Sequence, residues 1–167
     1  MAVSDSKIVY SLFADHNLYY ADSENSKLKK KGARSRFLTD EFENYPSSGN
    51  RLESYKYLSV SQHYESLIYD RYRKVFYRFC YPKVDLEDET DIMKSRLFPS
   101  LFSIMILDDN LNIVGETLFN DEKLLANNAF VAKEGLYISL NHTDNSKNNE
   151  DYLTFQLFEL SDVTNEN

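Results

Sequence analysis

Short apolar and aromatic runs recur along this chain, separated by tight polar connections, and their two-residue alternation is that of β-strands. Ile8–Phe13 and Leu18–Ala21 flank Ala14-Asp15-His16-Asn17, and Ser66–Asp70 and Val75–Tyr81 flank Arg71-Tyr72-Arg73-Lys74. Asn128–Val131 and Leu136–Asn141 flank Ala132-Lys133-Glu134-Gly135 in the same way. Each unit reads as a hairpin. The second strands start at Leu18, Val75 and Leu136, 57 and 61 residues apart, a spacing expected of repeated sheets with loop insertions.

More strands follow each hairpin. The middle unit adds Phe102–Leu107, a turn at Asp108-Asp109-Asn110, and Ile113–Phe119, which makes four antiparallel strands. Lys27–Lys31 and Arg34–Leu38 complete the first unit, and Leu153–Leu160 extends the third to three strands. In Val75–Tyr81, Val75, Tyr77, Phe79 and Tyr81 share one side and Phe76, Arg78 and Cys80 the other, so both sides carry rings. Ile104–Leu107 is apolar on both sides, as expected of a strand buried between neighbouring sheets. The expected fold class is therefore all-β: a single segment, 1–167, forming a partial β-propeller of two to three four-stranded blades. The approximate units are 7–60, 64–120 and 128–161. Helix is expected only within Asp85–Leu97, read as a surface insertion, and as one turn at Asp121–Ala126, while Asn44–Arg51 and Asn141–Asp151 read as loops.

Composition sharpens this picture. Thirteen tyrosines and eleven phenylalanines among 167 residues favour strands and large packing surfaces. The formal charge of −8 argues against a nucleic-acid partner, because a phosphate backbone requires a positive face. The one basic run, Lys27, Lys29, Lys30, Lys31, Arg34 and Arg36, would be split between two faces by strand alternation and reads as a solvated edge. Cys80 is the single cysteine, flanked by Phe79 and Tyr81, so a buried thiol is expected. No stretch approaches the length of an apolar membrane span, and Met1–Ser6 has no apolar signal segment.

On Tyr64–Phe79, Phe102–Phe119, Phe130–Asn141 and Leu153–Leu160 the chain resembles a family of uncharacterised six-bladed β-propeller proteins of gut Bacteroidetes. The resemblance covers the last two thirds of the chain more closely than the first. It implies that the chain corresponds to the carboxy-terminal half of such a propeller. It also implies a periplasmic or cell-surface location, since relatives are often exported as lipoproteins. The family carries no established catalytic residues to transfer. A half-ring leaves a blade face and strand edges open, so missing blades or self-association are expected to cover them.

Candidate chemistry is sparse. His16, His63 and His142 fall in or beside turns without the spacing of a metalloprotease helix, so no metal site is expected. The acidic stretches Asp85–Asp91 and Asp108–Asn112 lack the glycine and terminal glutamate of a calcium loop. No G-x-S-x-G elbow surrounds Ser61 or any other serine, and the four glycines form no phosphate loop, so no cofactor is expected. Asp70, Tyr72 and Glu134, at strand–turn junctions, are the weak candidates for groups facing an axial opening. These features favour a noncatalytic propeller used as a binding or structural module, with a protein, peptide or glycan ligand. The alternative is a fragment of a glycan- or peptide-processing propeller enzyme whose catalytic groups lie largely outside this chain.

Overall fold

The computed structural model of the chain describes residues 1–161 apart from 24, 48 and 150. Its strands form three antiparallel sheets of three to four strands, a partial set of propeller-like blades. The first sheet runs in chain order through β1 (Ala2–Val3), β2 (Lys7–Ser11), β3 (Asn17–Asp22) and β4 (Asn25–Gly32). The middle sheet holds β5 (His63–Asp70), β6 (Val75–Tyr81), β7 (Leu101–Leu107) and β8 (Ile113–Asn120). The third holds β9 (Leu125–Val131), β10 (Leu136–Ser139) and β11 (Phe155–Phe158).

The middle sheet is buried on both faces, and its sequence shows why. Phe76, Cys80, Met105 and Leu107 point to one side and pack with Ala2, Val9 and Leu18 of the first sheet. Tyr77, Phe79, Tyr81, Phe102 and Ile104 point to the other and pack with Ala126, Leu136 and Ile138 of the third. The rings on both sides of β6 thus serve two cores, each closed by a different neighbour. A row of rings also crosses the array. Phe13 stacks on His63, His63 on Tyr81 at 4.8 Å, and Phe102 on Phe119 at 5.0 Å, with Phe158 of the third sheet against Phe119.

Several local expectations need correction. Arg34–Leu38 is not a strand; the first sheet takes its fourth strand from β1, paired through Ala2 with Val9 and Val3 with Ile8. Leu125 and Ala126 begin β9, so the expected helical turn at Asp121–Ala126 is a short turn leading into a strand. An unexpected helix, α1, spans Arg51–Val60. Its apolar residues do not recur on one side and it buries only Ser59 and Val60, so no helical stripe marks it in the sequence. The Asn50 side chain caps it by accepting from the Leu52 N–H. The Asp85–Leu97 stretch does contain a helix, α2 (Glu89–Leu97), capped by Asp88, with acidic residues in its first turn and Lys94 and Arg96 in its last.

The repeat also shifts by one strand in the first unit. Lys74, between β5 and β6, pairs with Asp5, between β1 and β2. Arg73 of the same middle turn donates to the carbonyls of Lys133 and Glu134, between β9 and β10, at 3.1 Å for Lys133. Three turns therefore stand side by side, and the first sheet enters the row through β1–β2. The aromatic similarity of the β2–β3 hairpin to the later ones is a likeness of strand composition, which rings confer on any strand of such a sheet.

Candidate functional site

The turn row holds the residues at strand–turn junctions. Asp70 is fully buried, and its carboxylate is occupied by structure. Oδ1 accepts from the Tyr72 and Arg73 N–H groups at 2.9 and 3.0 Å, and Oδ2 from the Arg73 guanidinium at 3.1 Å and the Tyr77 hydroxyl at 3.3 Å. Tyr72 is exposed, and so is Glu134, whose carbonyl receives Arg73. Arg73 thus ties Asp70 to the backbone at Glu134 and fastens the third sheet to the middle one. Asp70, Tyr72 and Glu134 belong to this row of turns, Asp70 buried with its carboxylate engaged, Tyr72 and Glu134 exposed.

A second polar constellation lies between the first and middle sheets. Arg78 is completely buried. Its guanidinium donates to the Ser11 hydroxyl at 2.9 Å and to the carbonyls of Asp15 at 2.8 Å, His16 at 3.2 Å and Ala33 at 2.7 Å. Its planar face lies 3.3 Å from the centre of the Tyr64 ring. Burial lowers the Arg78 pKa, and burial raises that of Tyr64 to about 12. The Tyr64 hydroxyl accepts from the Ser35 N–H at 3.0 Å and lies 2.8 Å from His16 Nδ1. His16 Nε2 faces the carbonyls of Thr39 and Asp40, so Nε2 carries the proton and Nδ1 accepts from Tyr64. Glu116 closes the joint, accepting from Ser103 at 2.8 Å, from Ser35, and from the Arg36 N–H at 3.0 Å. Every polar group in this cluster has a partner within the protein, which makes it a clamp between sheets.

The third constellation is a cavity of about 280 Å³ beside α2, along the row of rings at His63 and Tyr81. His63, Glu65, Tyr81, Lys94, Arg96 and Asp144 are among its walls. Arg96 pairs with Glu65 at 2.9 Å and Lys94 with Asp144 at 2.6 Å. The Tyr81 hydroxyl is buried and has no hydrogen-bond partner among the described residues. Burial raises its pKa. His63 Nδ1 donates to the Ser61 carbonyl at 2.8 Å, which leaves Nε2 as an acceptor. Burial also lowers the His63 pKa, so the ring is held neutral.

The other residues singled out by sequence serve the fold. His142 donates from Nε2 to the Phe98 carbonyl at 2.9 Å and accepts the Asp144 N–H at 3.1 Å; it is engaged at α2 while His16 is engaged at the first sheet. Among the described residues no group of three or more histidine, cysteine, aspartate or glutamate side chains is placed to hold a metal ion. Burial pushes the Cys80 thiol up to about 12, so it is an inert core group. The basic run is dispersed: Lys29 pairs with Asp22, Lys31 reaches Asn112 at 2.8 Å, and Arg34 pairs with Asp40. The Arg78 clamp and the Tyr81 cavity were not read from sequence. An arginine among six aromatic or apolar residues of β6 was the one visible trace of the clamp.

Stacked antiparallel sheets with a polar clamp at one joint and a small cavity at the edge of the middle sheet define an incomplete propeller-like array. A family model matches residues 1–118, and the chain belongs to that family, a domain of unknown function (DUF4221). The match falls on the first two thirds of the chain, whereas the likeness carried by the strands was strongest in the last two. The chain is also similar to the crystal structure of a DUF4221 member from Bacteroides vulgatus, with 28% sequence identity and a TM-score of 0.80. The similarity covers 92% of this chain and 42% of the other, so this chain spans less than half the length of that relative. None of the curated proteins compared with the chain matches it.

Proposed function

We propose that the chain is a noncatalytic binding module within a larger, six-bladed propeller, contributing its carboxy-terminal half, and that the cavity beside α2 is its binding site. The observation that carries this reading is the contrast between the buried Asp70 carboxylate, taken up by structural donors, and the cavity wall, where two ion pairs and the neutral His63 ring, its Nε2 left as an acceptor, line one space. A propeller of this family fits a periplasmic or cell-surface location, where a protein, peptide or glycan would be its ligand.

The outer faces of the first and third sheets support the incomplete-ring part of the reading. On the first, Val3, Ile8, Tyr10 and Leu28 are exposed; on the third, Phe130 and Leu157 are. The relative's greater length supplies the occupant: further sheets of the same propeller, packed on these two faces as the first and third pack on the middle one. The test has two arms. The isolated chain is expected to bind an apolar dye and to self-associate, and a dye-silent monomer would remove the incomplete-ring reading. Turnover assays with chromogenic glycosides and peptides are expected to show no hydrolysis; hydrolysis lost on Asp70→Asn or Glu134→Gln would replace the binding module with an enzyme.

A further inference from the structure

We infer that the third sheet is one strand short, and that a fourth β-strand from another part of the same propeller adds to the free edge of β11 and lies in the groove against β8. The inference rests on the incomplete-ring reading above, but it concerns a strand edge, whereas that reading concerns sheet faces. The first and middle sheets each hold four strands, and the third holds β9, β10 and β11. The open position is the one that β8 fills in the middle sheet, beside the third strand and away from the second. The relative, of whose chain only 42% is covered, has the length to supply such a strand.

The register of β10 and β11 shows which backbone groups are open. The Leu140 N–H donates to the Thr154 carbonyl at 2.8 Å, and the pairs Ile138–Gln156 and Leu136–Phe158 follow in step. Hydrogen-bonded pairs alternate with open ones in an antiparallel ladder, so Gln156 and Phe158 bond inward to β10. The N–H and C=O groups of Phe155 and Leu157 therefore point away from β10, and no described strand pairs with them. Such an edge is a template for one more strand.

The groove has the shape that strand requires. On the opposite side of the middle sheet, β4 reaches the start of β8, where Lys31 bonds Asn112 at 2.8 Å, and the Ser35–Arg36 segment after it covers Glu116. On the side of the third sheet the corresponding strip is open, as a groove of about 990 Å³ between β8 and β11. Its floor is made by the paired residues Ile104–Thr117 and Ile106–Gly115, and its far wall by Phe158 and Leu160. Gly115 leaves room for an approaching backbone, since a Cβ there would meet only Ile106 Cδ1, at 3.7 Å. Side chains of the added strand that alternate toward this floor are apolar, and those on its other side continue the face formed by Phe130, Tyr137 and Leu157 in register.

The experiment adds to the isotope-labelled full chain, at millimolar concentration, a free peptide with the β8 sequence Ile113–Asn120 between paired lysines. β8 is the strand that fills this position in the middle sheet. Amide exchange at Phe155 and Leu157 is expected to slow about ten-fold. The same peptide N-methylated at every backbone nitrogen is expected to leave it unchanged. Leu157→Pro removes one edge donor without touching the β10 ladder and should abolish the slowing at Phe155. Thr117→Glu alters a residue that is exposed in the chain alone, so folding should be kept, while the carboxylate it would bury under the added strand should weaken the peptide at least about ten-fold. Slowing that survives both variants overturns the groove as the seat. Slowing confined to another strand edge, or none at all, overturns the fourth strand. If the chain then still binds an apolar dye and self-associates, the incomplete-ring reading stands without it.

Discussion

The two joints of the middle sheet are built differently. Toward the first sheet the contact is polar at its centre: Arg78 inserts its guanidinium among the carbonyls of Asp15, His16 and Ala33, with Tyr64 beneath it and Glu116 at the rim. Toward the third sheet the contact is apolar, made by Phe79, Phe102, Ile104, Leu136 and Ile138, with Arg73 as a polar tie at the turn. The third sheet has three strands, and an open groove of about 990 Å³ remains between β8 and β11. Apolar contact supplies adhesion with little preference for register, whereas the four directional hydrogen bonds of the Arg78 guanidinium admit one arrangement. The first joint is therefore specified and the second is adhesive.

The largest expected effect breaks the specified joint. Arg78→Ala leaves the Ala33 and Asp15 carbonyls and the Ser11 hydroxyl without the guanidinium, the His16 carbonyl keeping the Ala33 N–H, and should cost about 3 kcal/mol in denaturant unfolding. Hydrogen exchange should show the first sheet losing protection before the other two. Equal loss across all three sheets would refute the difference between the joints. Phe102→Ala, in the adhesive joint, should cost about 3 kcal/mol and loosen the middle and third sheets together.

Smaller effects sharpen the contrast. Gly135 lies where an added Cβ would run into the Phe158 carbonyl and the Leu157 side chain, so Gly135→Ala should cost about 2 kcal/mol by forcing β11 from β10. Thermal melts of that variant that match the parent would show the third sheet to be free to shift. Tyr64→Phe removes the hydroxyl that Ser35 and His16 share and should cost about 1 kcal/mol at the specified joint.

The smallest effect is a pH dependence at His63. Burial lowers its folded pKa below the ordinary 6.5, so the unfolded chain takes up a proton first as the pH falls. The stabilisation is full above pH 6.5 and is lost progressively below it, down to the folded value. His63→Phe should reduce the slope in that window, the remainder belonging to His16, whose pKa burial also lowers, and leave the loss at more acid pH, where Asp15 and Glu43 protonate, unchanged. Burial opposes ionisation of Asp15, but hydrogen bonds from Asn17 and Tyr19 outweigh it; Lys83 and Ser61 act on Glu43 in the same lowering direction. An unaltered profile in the variant would show that His63 is not the group titrating.

Much of the strand content was readable from the chain. Leu18–Ala21, Ser66–Asp70, Val75–Tyr81 and Ile113–Phe119 all lie inside observed strands, because alternation and short polar turns are local properties. Arg34–Leu38 misled because Phe37 and Leu38 follow a polar run there, yet the Ser35 N–H and the Arg36 N–H bond to Tyr64 and Glu116 instead of a strand. The cavity was invisible: His63 and Tyr81 are opposite one another across β5 and β6, but Arg96 and Asp144 arrive from α2 and a distant loop.

The amino-acid sequence by itself determined that the chain would form short aromatic strands in repeated antiparallel units and that the middle unit would be buried on both faces. Periodicity and side-chain volume act within a few residues of one another, so they survive in a one-dimensional reading. Only the tertiary structure decided that the β1–β2, β5–β6 and β9–β10 turns share one end, that Arg78 is a clamp, and that the Tyr81 hydroxyl is left alone. Those outcomes depend on hydrogen-bonding groups some 60 residues apart meeting at fixed distances, as Arg78 meets the His16 carbonyl, and no local pattern encodes which of them will be satisfied.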